Sequence, residues 1–308
     1  MTTSTVLLKA PVILQVPSAN ASVFENCILT WEQNALIVKP RTSEAEAEMP
    51  ALRNEAWLSE CLSRSPVERV YLDPTMEPSM FKAWADICDA TQKRVYLRVP
   101  SAPDLPQMRQ PKLWRVKRLA DWLVAALLLA VLSPLMGLLA LWIRLDSHGP
   151  ILFRQWRVGY QGRLFQICKF RSMETDAEAQ HHAVMGNQTG LHKLEHDPRV
   201  TSVGRWLRKF SLDELPQLLN VLRGEMSLVG PRPWALYDAV RIEPVLQSRL
   251  RALPGMTGMW QVTARSQGCD LTSVNRMDLD YLQQWTFQED LKLLLLTVPK
   301  VVTGFGAY

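Results

Sequence analysis

Lys169, Arg171, Arg208 and Arg232 surround, in sequence, a carboxylate pair, Asp213-Glu214. These are the residue types that handle phosphate. Guanidinium forks grip phosphate oxygens two at a time, and lysine adds a compact point charge. A carboxylate pair beside phosphates is also a donor set for Mg²⁺, which takes few protein oxygens and shares the rest with substrate. A carboxylate can attack phosphorus as well, forming an acyl phosphate. Plainer readings stay open. Neighbours on a helix point about 100° apart, so Asp213 and Glu214 face one ligand only at a helix start. Pro216 marks such a start, but Ser211-x-x-Glu214 is equally the spacing of a capping box. Residue types alone therefore favour capping or surface charge over catalysis. His192-x-x-x-His196, with His181 and His182 nearby, has metal-like spacing but no cysteine or carboxylate ladder beside it. That stretch reads as a solvated loop.

The elements that must position these side chains follow from periodicity. Residues 203–210 and 215–222 read as helices. In the second, Leu215, Leu218, Leu219 and Leu222 follow helical spacing, and Gly224 stands where a helix ends. Residues 150–173 alternate apolar and basic positions around Gly159-Tyr-Gln-Gly162, the pattern of a hairpin whose second strand covers 165–170. Residues 174–197 form a polar loop. Gly230-Pro-Arg-Pro233 closes the helical unit. Residues 290–302 are apolar but interrupted by Lys292, Pro299 and Lys300, which suits a helix lying in a membrane interface with its lysines outward.

Ahead of this unit, residues 122–143 run for about 22 positions without a charge, long enough to cross a hydrocarbon core. Ser133-Pro134 sits mid-run. Proline removes a backbone donor and bends a helix, and Ser133 is placed to satisfy the freed carbonyl. Both flanks are basic: Arg115, Lys117 and Arg118 before, and Arg144, Arg154 and Arg157 after. Positive charge stays cytoplasmic, so both ends belong on one side and the segment, about 119–144, is expected to be a re-entrant helix. A plain span with a proline kink is the alternative.

Residues 1–100 read as a separate α/β domain. Strands at 35–39, 69–72 and 94–99 alternate with helices at 51–62 and 80–90, which gives a partly parallel sheet. The order of elements resembles the anti-sigma-antagonist (STAS) type of module. No glycine-rich turn follows a strand, so a dinucleotide-binding loop is not expected. Residues 101–114, rich in proline and polar groups, read as a linker. The net charge of +5 calls for an anionic partner without choosing one. Five scattered cysteines argue against a disulfide framework and fit a reducing cytoplasm.

The stretch 115–308 resembles the bacterial sugar transferases, the monotopic polyprenyl-phosphate hexose-1-phosphate transferases. The blocks that carry the likeness are the Ser133-Pro134 helix, GPILFRQWRVG at 149–159, KFRSM at 169–173, DPRVTSVGRWLRKFSLDELPQLLNVLRGEMSLVGPRP at 197–233 and PGMTGMWQV at 254–262. Ordered blocks are more specific than any one motif. The resemblance implies a mainly helical monotopic membrane catalytic domain with small β elements, at the cytoplasmic face of the bacterial inner membrane. It implies Asp213 as nucleophile on the β-phosphorus of a UDP-hexose, with a polyprenyl phosphate as acceptor and UMP as product. It implies Glu214 as an aid to Mg²⁺ binding or proton traffic, and Lys169, Arg171, Arg208, Arg232 and Arg265 as phosphate-gripping residues. Thr263-Ala-Arg265 departs from the family's Gly-Arg at that place. A non-catalytic membrane scaffold and a nucleic-acid binder are the other function classes. The apolar run and the missing recognition motif weigh against nucleic acid. A homo-oligomer is compatible with the sequence, and the N-terminal domain is a candidate for binding a protein partner.

Overall fold

The computed structural model describes residues 23–42, 49–102, 104–175, 177, 197–263 and 270–304. The N-terminal layer is a four-stranded mixed sheet. Strands β1 (Cys27–Glu32) and β2 (Ala35–Pro40) pair antiparallel; β2 then pairs in parallel with β3 (Arg69–Leu72), and β3 with β4 (Arg94–Leu97). Helices α1 (Glu55–Arg64) and α2 (Pro78–Ala90) make the two crossovers. Strand alternation decides which face they cover. Leu36, Val38, Val70, Leu72, Val95 and Leu97 are buried together with Leu58, Leu62, Phe81 and Trp84 of the helices. The other face, with Ile37, Tyr71 and Tyr96, carries no α-helix among the described residues. Strand β1 is not expected from the sequence, because Thr30 and Glu32 break its apolar pattern.

The boundary expected at 101–114 is not a free tether. Residues Pro106–Arg109 form a short helix, α3, with Leu105 and Gln107 buried, and helix α4 (Pro111–Asp146) starts at once. The N-terminal layer is docked on the C-terminal part of the chain. Trp156 donates its indole N–H to Asp86 at 2.7 Å, and Tyr96 forms a β-bridge with Arg163. Gly162, at φ +79°, lies so close to the Leu97 carbonyl that a Cβ there would be 2.3 Å from its oxygen. Its backbone conformation also favours glycine.

Helix α4 has 36 residues, longer than the 119–144 segment expected, and at 1.5 Å per residue it spans about 54 Å. Its mean hydropathy over the best 18 residues is 2.5, and only 11% of that window is buried. One stripe of the helix lies on the protein along most of its length. Lys117, Asp121, Ala125, Leu139 and Ile143 are buried, with Leu129 and Met136 packed between them. The outward face carries Leu123, Leu127, Val131, Leu138 and Leu141. Ser133 donates to the carbonyl of Ala130 at 2.9 Å, the acceptor that Pro134 leaves without an amide partner. That is the role expected for Ser133.

The basic flanks need correction. Lys117 is 2% exposed and pairs with Asp290 at 2.5 Å, while Arg118 pairs with Asp121 at 3.2 Å. Asp121 also accepts from Ser227 Oγ at 2.7 Å. These two cations are bound to protein carboxylates instead of lying free at a membrane surface, Lys117 because α4 runs beside the helix that carries Asp290, and Arg118 through Asp121 one turn along α4 itself.

The C-terminal unit begins with the expected hairpin, β5 (Leu152–Val158) and β6 (Leu164–Phe170), turning through Gln161 and Gly162, both at positive φ. Then come helices α5 (Ser202–Lys209) and α6 (Gln217–Leu222), strand β7 (Ser227–Val229), helix α7 (Leu236–Ala239) and a 3-10 segment Pro244–Arg251. Strand β8 (Gly255–Thr257) pairs in parallel with β7, and helices α8 (Met259–Thr263), α9 (Leu271–Gln283) and α10 (Phe287–Thr303) complete the chain. On α10, Leu291, Leu295 and Val298 form an exposed apolar row beside an exposed Lys292, and Leu293 is buried. The aromatic pair Trp142–Trp206, 5.2 Å between ring centroids, extends the apolar surface from α4 onto α5.

Candidate active site

Asp213 and Glu214 lie in a 3-10 turn, Leu212–Glu214, between α5 and α6. The capping-box reading fails here. Ser211 adopts a left-handed conformation (φ 53°) and its side chain makes no capping hydrogen bond to this turn. Pro216 then starts α6 as its N-terminal flanking residue. The turn places both carboxylates among cations drawn from three other elements.

Lys169 arrives on β6. Its Nζ donates to Glu214 Oε1 at 2.8 Å. Arg232 arrives on the Gly230–Pro233 segment after β7, and its Nη2 donates to the same oxygen at 3.1 Å. The segment is fixed by backbone: Gly230 donates to Thr257 at 2.9 Å, and Gly255 to Pro231 at 2.9 Å. A Cβ on Gly255 would fall 2.0 Å from the Gly230 nitrogen, so glycine is what allows this approach. Arg208 arrives on α5, whose N-terminus is capped by Thr201 and whose Gly204 packs directly on the Ser172 carbonyl. Arg208 Nε donates to Ser172 Oγ at 2.9 Å. Behind it, Arg199 grips both oxygens of Asp197 at 2.9 and 2.6 Å. That fork holds the Asp197 carboxyl below its ordinary range.

Asp213 is only 8% exposed. Burial pushes its carboxyl up from the ordinary value of 3.8; Lys169, Arg208 and Arg232 oppose that push, and Glu214 adds to it. Lys169 is pulled down by burial and held up chiefly by Glu214. The cations therefore offset part of the cost of a buried negative charge. They also form a fixed cluster of positive charge that suits an anionic ligand.

Three of the expected phosphate ligands, Lys169, Arg208 and Arg232, are thus gathered around Asp213-Glu214. Arg171 is not with them. Its guanidinium donates to the carbonyls of Ser147, at 2.7 Å, and His148, and so ties the end of α4 to the hairpin. Its place just beyond the end of β6 brings it to α4 rather than to the cluster. Arg265 and the four loop histidines, His181, His182, His192 and His196, lie outside the described residues. Among the described residues no cluster of three metal-type ligands occurs.

Arg157 is the residue that sequence reasoning misses, because its position puts it in the basic flank of the membrane segment. On the hairpin it stands opposite Phe165, on the same face as Lys169. It donates to Pro233 at 3.2 Å and to Gln155 Oε1 at 2.5 Å, and it feels Tyr237, Arg232, Asp238 and Glu214. Counting by two from Lys169 across the Gly159–Gly162 turn is the signal that could have found it.

A family model described as bacterial sugar transferase matches residues 112–304. The chain belongs to the bacterial sugar transferase family. The matched stretch starts with α4 and leaves the N-terminal layer outside. Among curated relatives of this sugar transferase is a UDP-glucose:undecaprenyl-phosphate glucose-1-phosphate transferase of Caulobacter vibrioides, 47% identical over 62% of this chain and 72% of the relative. The galactosyl transferase CpsE of Streptococcus agalactiae is 45% identical over 54% of this chain, but only 37% of its own length is covered. The exopolysaccharide production protein ExoY of Sinorhizobium fredii is 39% identical over 62% of this chain and 88% of its own. The sugars in these names differ, glucose in one and galactose in another. The cluster around Asp213 lies wholly within the family region.

Proposed function

We propose that this sugar transferase moves a hexose-1-phosphate from a UDP-hexose to undecaprenyl or another polyprenyl phosphate through a phosphosugar–Asp213 intermediate. The observation that carries the reading is a buried carboxylate of raised pKa encircled by Lys169, Arg208 and Arg232 on separate elements. In the first step an Asp213 oxygen bonds to the β-phosphorus of the donor as the bond to UMP breaks. In the second, a phosphate oxygen of the lipid bonds to that phosphorus and the Asp213 carboxylate leaves. No proton is consumed in either step. Lys169 and Arg232 hold Glu214 and neutralise the incoming diphosphate; Arg208 does the same from the α5 side. Mg²⁺ fits the two adjacent carboxylates, since it commonly takes one or two from protein and the remainder from substrate phosphate and water. When bound, it would supply further charge neutralisation of the diphosphate.

The fold supports placing this chemistry at a membrane. Both ends of α4 pack on the one body that carries Asp213, which supports a membrane helix with both ends on one side, as in the re-entrant arrangement. The cytoplasmic face is what the family resemblance implies. The outward faces of α4 and α10 would then enter the lipid, and the site would sit at headgroup depth. Cysteines placed at 112 and 147, with native thiols removed, are expected to react with an impermeant maleimide from the same side of inverted vesicles. Reaction from opposite faces would establish a plain span. The N-terminal layer is read, on element order alone, as an anti-sigma-antagonist-like module.

UMP release across a panel of UDP-hexoses, with and without polyprenyl phosphate, tests the function. Multiple turnover is expected only with the lipid phosphate; no release with any donor would favour a silent scaffold. The raised pKa gives a further expectation. The reactive form of Asp213 is ionised, so kcat/KM falls as pH drops through its pKa, above the usual value of about 4. Lys169→Met removes a group that lowers that pKa, so the acid limb is expected to move to higher pH. A limb that stays in place would show that Asp213 does not set it.

A further inference from the structure

The helix-free face of the N-terminal sheet meets the hairpin tip and the Pro244–Arg251 segment in a groove of about 730 Å³. None of the residues around Asp213 lines it. Its walls carry Arg69, Arg98 and Arg251, with Tyr71, Gln161 and Glu32 between them. Arg69 and Arg98 are exposed, and neither they nor Arg251 has an ion-pair partner among the described residues. The Nε of Arg251 is enclosed and without a hydrogen-bond partner among the described residues. Tyr71 is backed by Tyr96, with ring centroids 5.2 Å apart and planes 25° from parallel. Three guanidinium groups without an ion-pair partner among the described residues, with Glu32 the one carboxylate lining the groove, surround a stacked aromatic platform and leave forked donors on offer to an anion.

We infer that this groove is a nucleotide-binding site separate from the catalytic cluster. Phosphates lie on Arg69, Arg98 and Arg251, which suit them as forked donors. The base extends the Tyr71–Tyr96 stack, and Gln161 and Glu32 meet the ribose hydroxyls or base edge. The volume falls within the range of small-ligand sites. Gln161 of the hairpin and Arg251 border the groove on two sides, which suits a mononucleotide or dinucleotide better than a running strand. The phosphates are met on the sheet face, which is why a glycine loop at a strand end is not needed. The location gives the site access to catalysis. Arg251 ends the segment whose Arg249 donates to the Arg232 carbonyl at 2.6 Å.

The test uses the full chain in nanodiscs and N-methylanthraniloyl-GDP as the fluorescent probe, with unlabelled ATP, GTP, UDP-glucose, pyrophosphate and a ten-nucleotide single-stranded RNA as competitors. Binding is expected in the parent and in Asp213→Asn, with displacement by ATP or GTP. It is expected to weaken by about tenfold or more in the double variant Arg69→Ala/Arg98→Ala. Melting temperature and UMP release of that variant, measured without added purine nucleotide, are expected to match the parent and so exclude misfolding. Any of four results overturns the inference: no saturable binding; displacement by UDP-glucose with no effect of the arginine pair, which assigns the probe to the catalytic cluster; pyrophosphate competing as well as GTP, which removes the base from recognition; or RNA binding more tightly than GTP.

Discussion

Asp213→Asn is expected to lower UMP release by at least about 10⁴-fold, the scale on which removing a covalent nucleophile acts. In the parent, donor labelled in its β-phosphate should leave label on the protein when lipid is withheld; the variant should stay unlabelled. The same substitution should not weaken the fold. The folded-state pKa of Asp213 is raised, so at neutral pH the protein holds the carboxylate in a form that burial disfavours. An acid of raised pKa lowers stability once pH exceeds its unfolded value, and that cost is relieved as pH falls through the folded value. Asparagine has nearly the same shape and no charge. The variant is therefore expected to melt at the parent's temperature or above it, while losing turnover. This pairing separates a nucleophile from a structural acid: a group retained for its ion pairs would lower the melting temperature on neutralisation. Label on the Asn protein, or UMP release at the parent's rate, would end the nucleophile assignment.

The elements were legible where local chemistry dictates them. The hairpin, the two helices beside Asp213 and the Ser133–Ala130 contact across Pro134 follow from glycine, proline and periodicity within a few residues. Lys169, Arg208 and Arg232 could be singled out as phosphate-gripping residue types near a carboxylate pair, and each lies in a block resembling one family. Legibility ended where a side chain's partner is distant in sequence. Arg171 looks identical to a phosphate ligand until α4 delivers the carbonyls of Ser147 and His148 to it. Lys117 and Arg118 look like membrane-flanking charges until α10 and β7 bring Asp290 and the groups around Asp121. Arg157 moves the other way, from flank to site, by cross-strand register. The docking of the N-terminal layer was illegible for the same reason. It rests on Trp156 meeting Asp86, on one glycine at the hairpin tip and on a buried core that joins Phe81 and Trp84 to Val158, Leu164 and Trp234.

The second large effect lies behind the cluster. Arg249 is 3% exposed and Asp278 1%. Arg249 Nε and Nη2 donate to Asp278 Oδ2 at 2.9 and 2.6 Å, and the guanidinium lies 5.1 Å from the Trp234 ring centroid. Its Nη2 also holds the Arg232 carbonyl, as Asn275 holds the Trp234 indole at 2.9 Å. Asp278→Asn keeps the shape but leaves a buried guanidinium without its counterion, and guanidinium does not discharge at working pH. Breaking one side of a buried pair costs about 3–5 kcal/mol, so denaturant unfolding of the detergent-solubilised protein should show a loss of that order. A double variant, Arg249→Met with Asp278→Leu, removes both charges and should recover much of that loss, because the pair's attraction is largely offset by its own desolvation. Activity should not recover with it. The Arg232 carbonyl has lost its donor, and a guanidinium displaced from Glu214 by even about 1 Å grips the donor phosphates less well. Stability regained with KM for the UDP-hexose still raised would assign Arg249 the positioning of Arg232. Full recovery of both would show the pair to be structural alone.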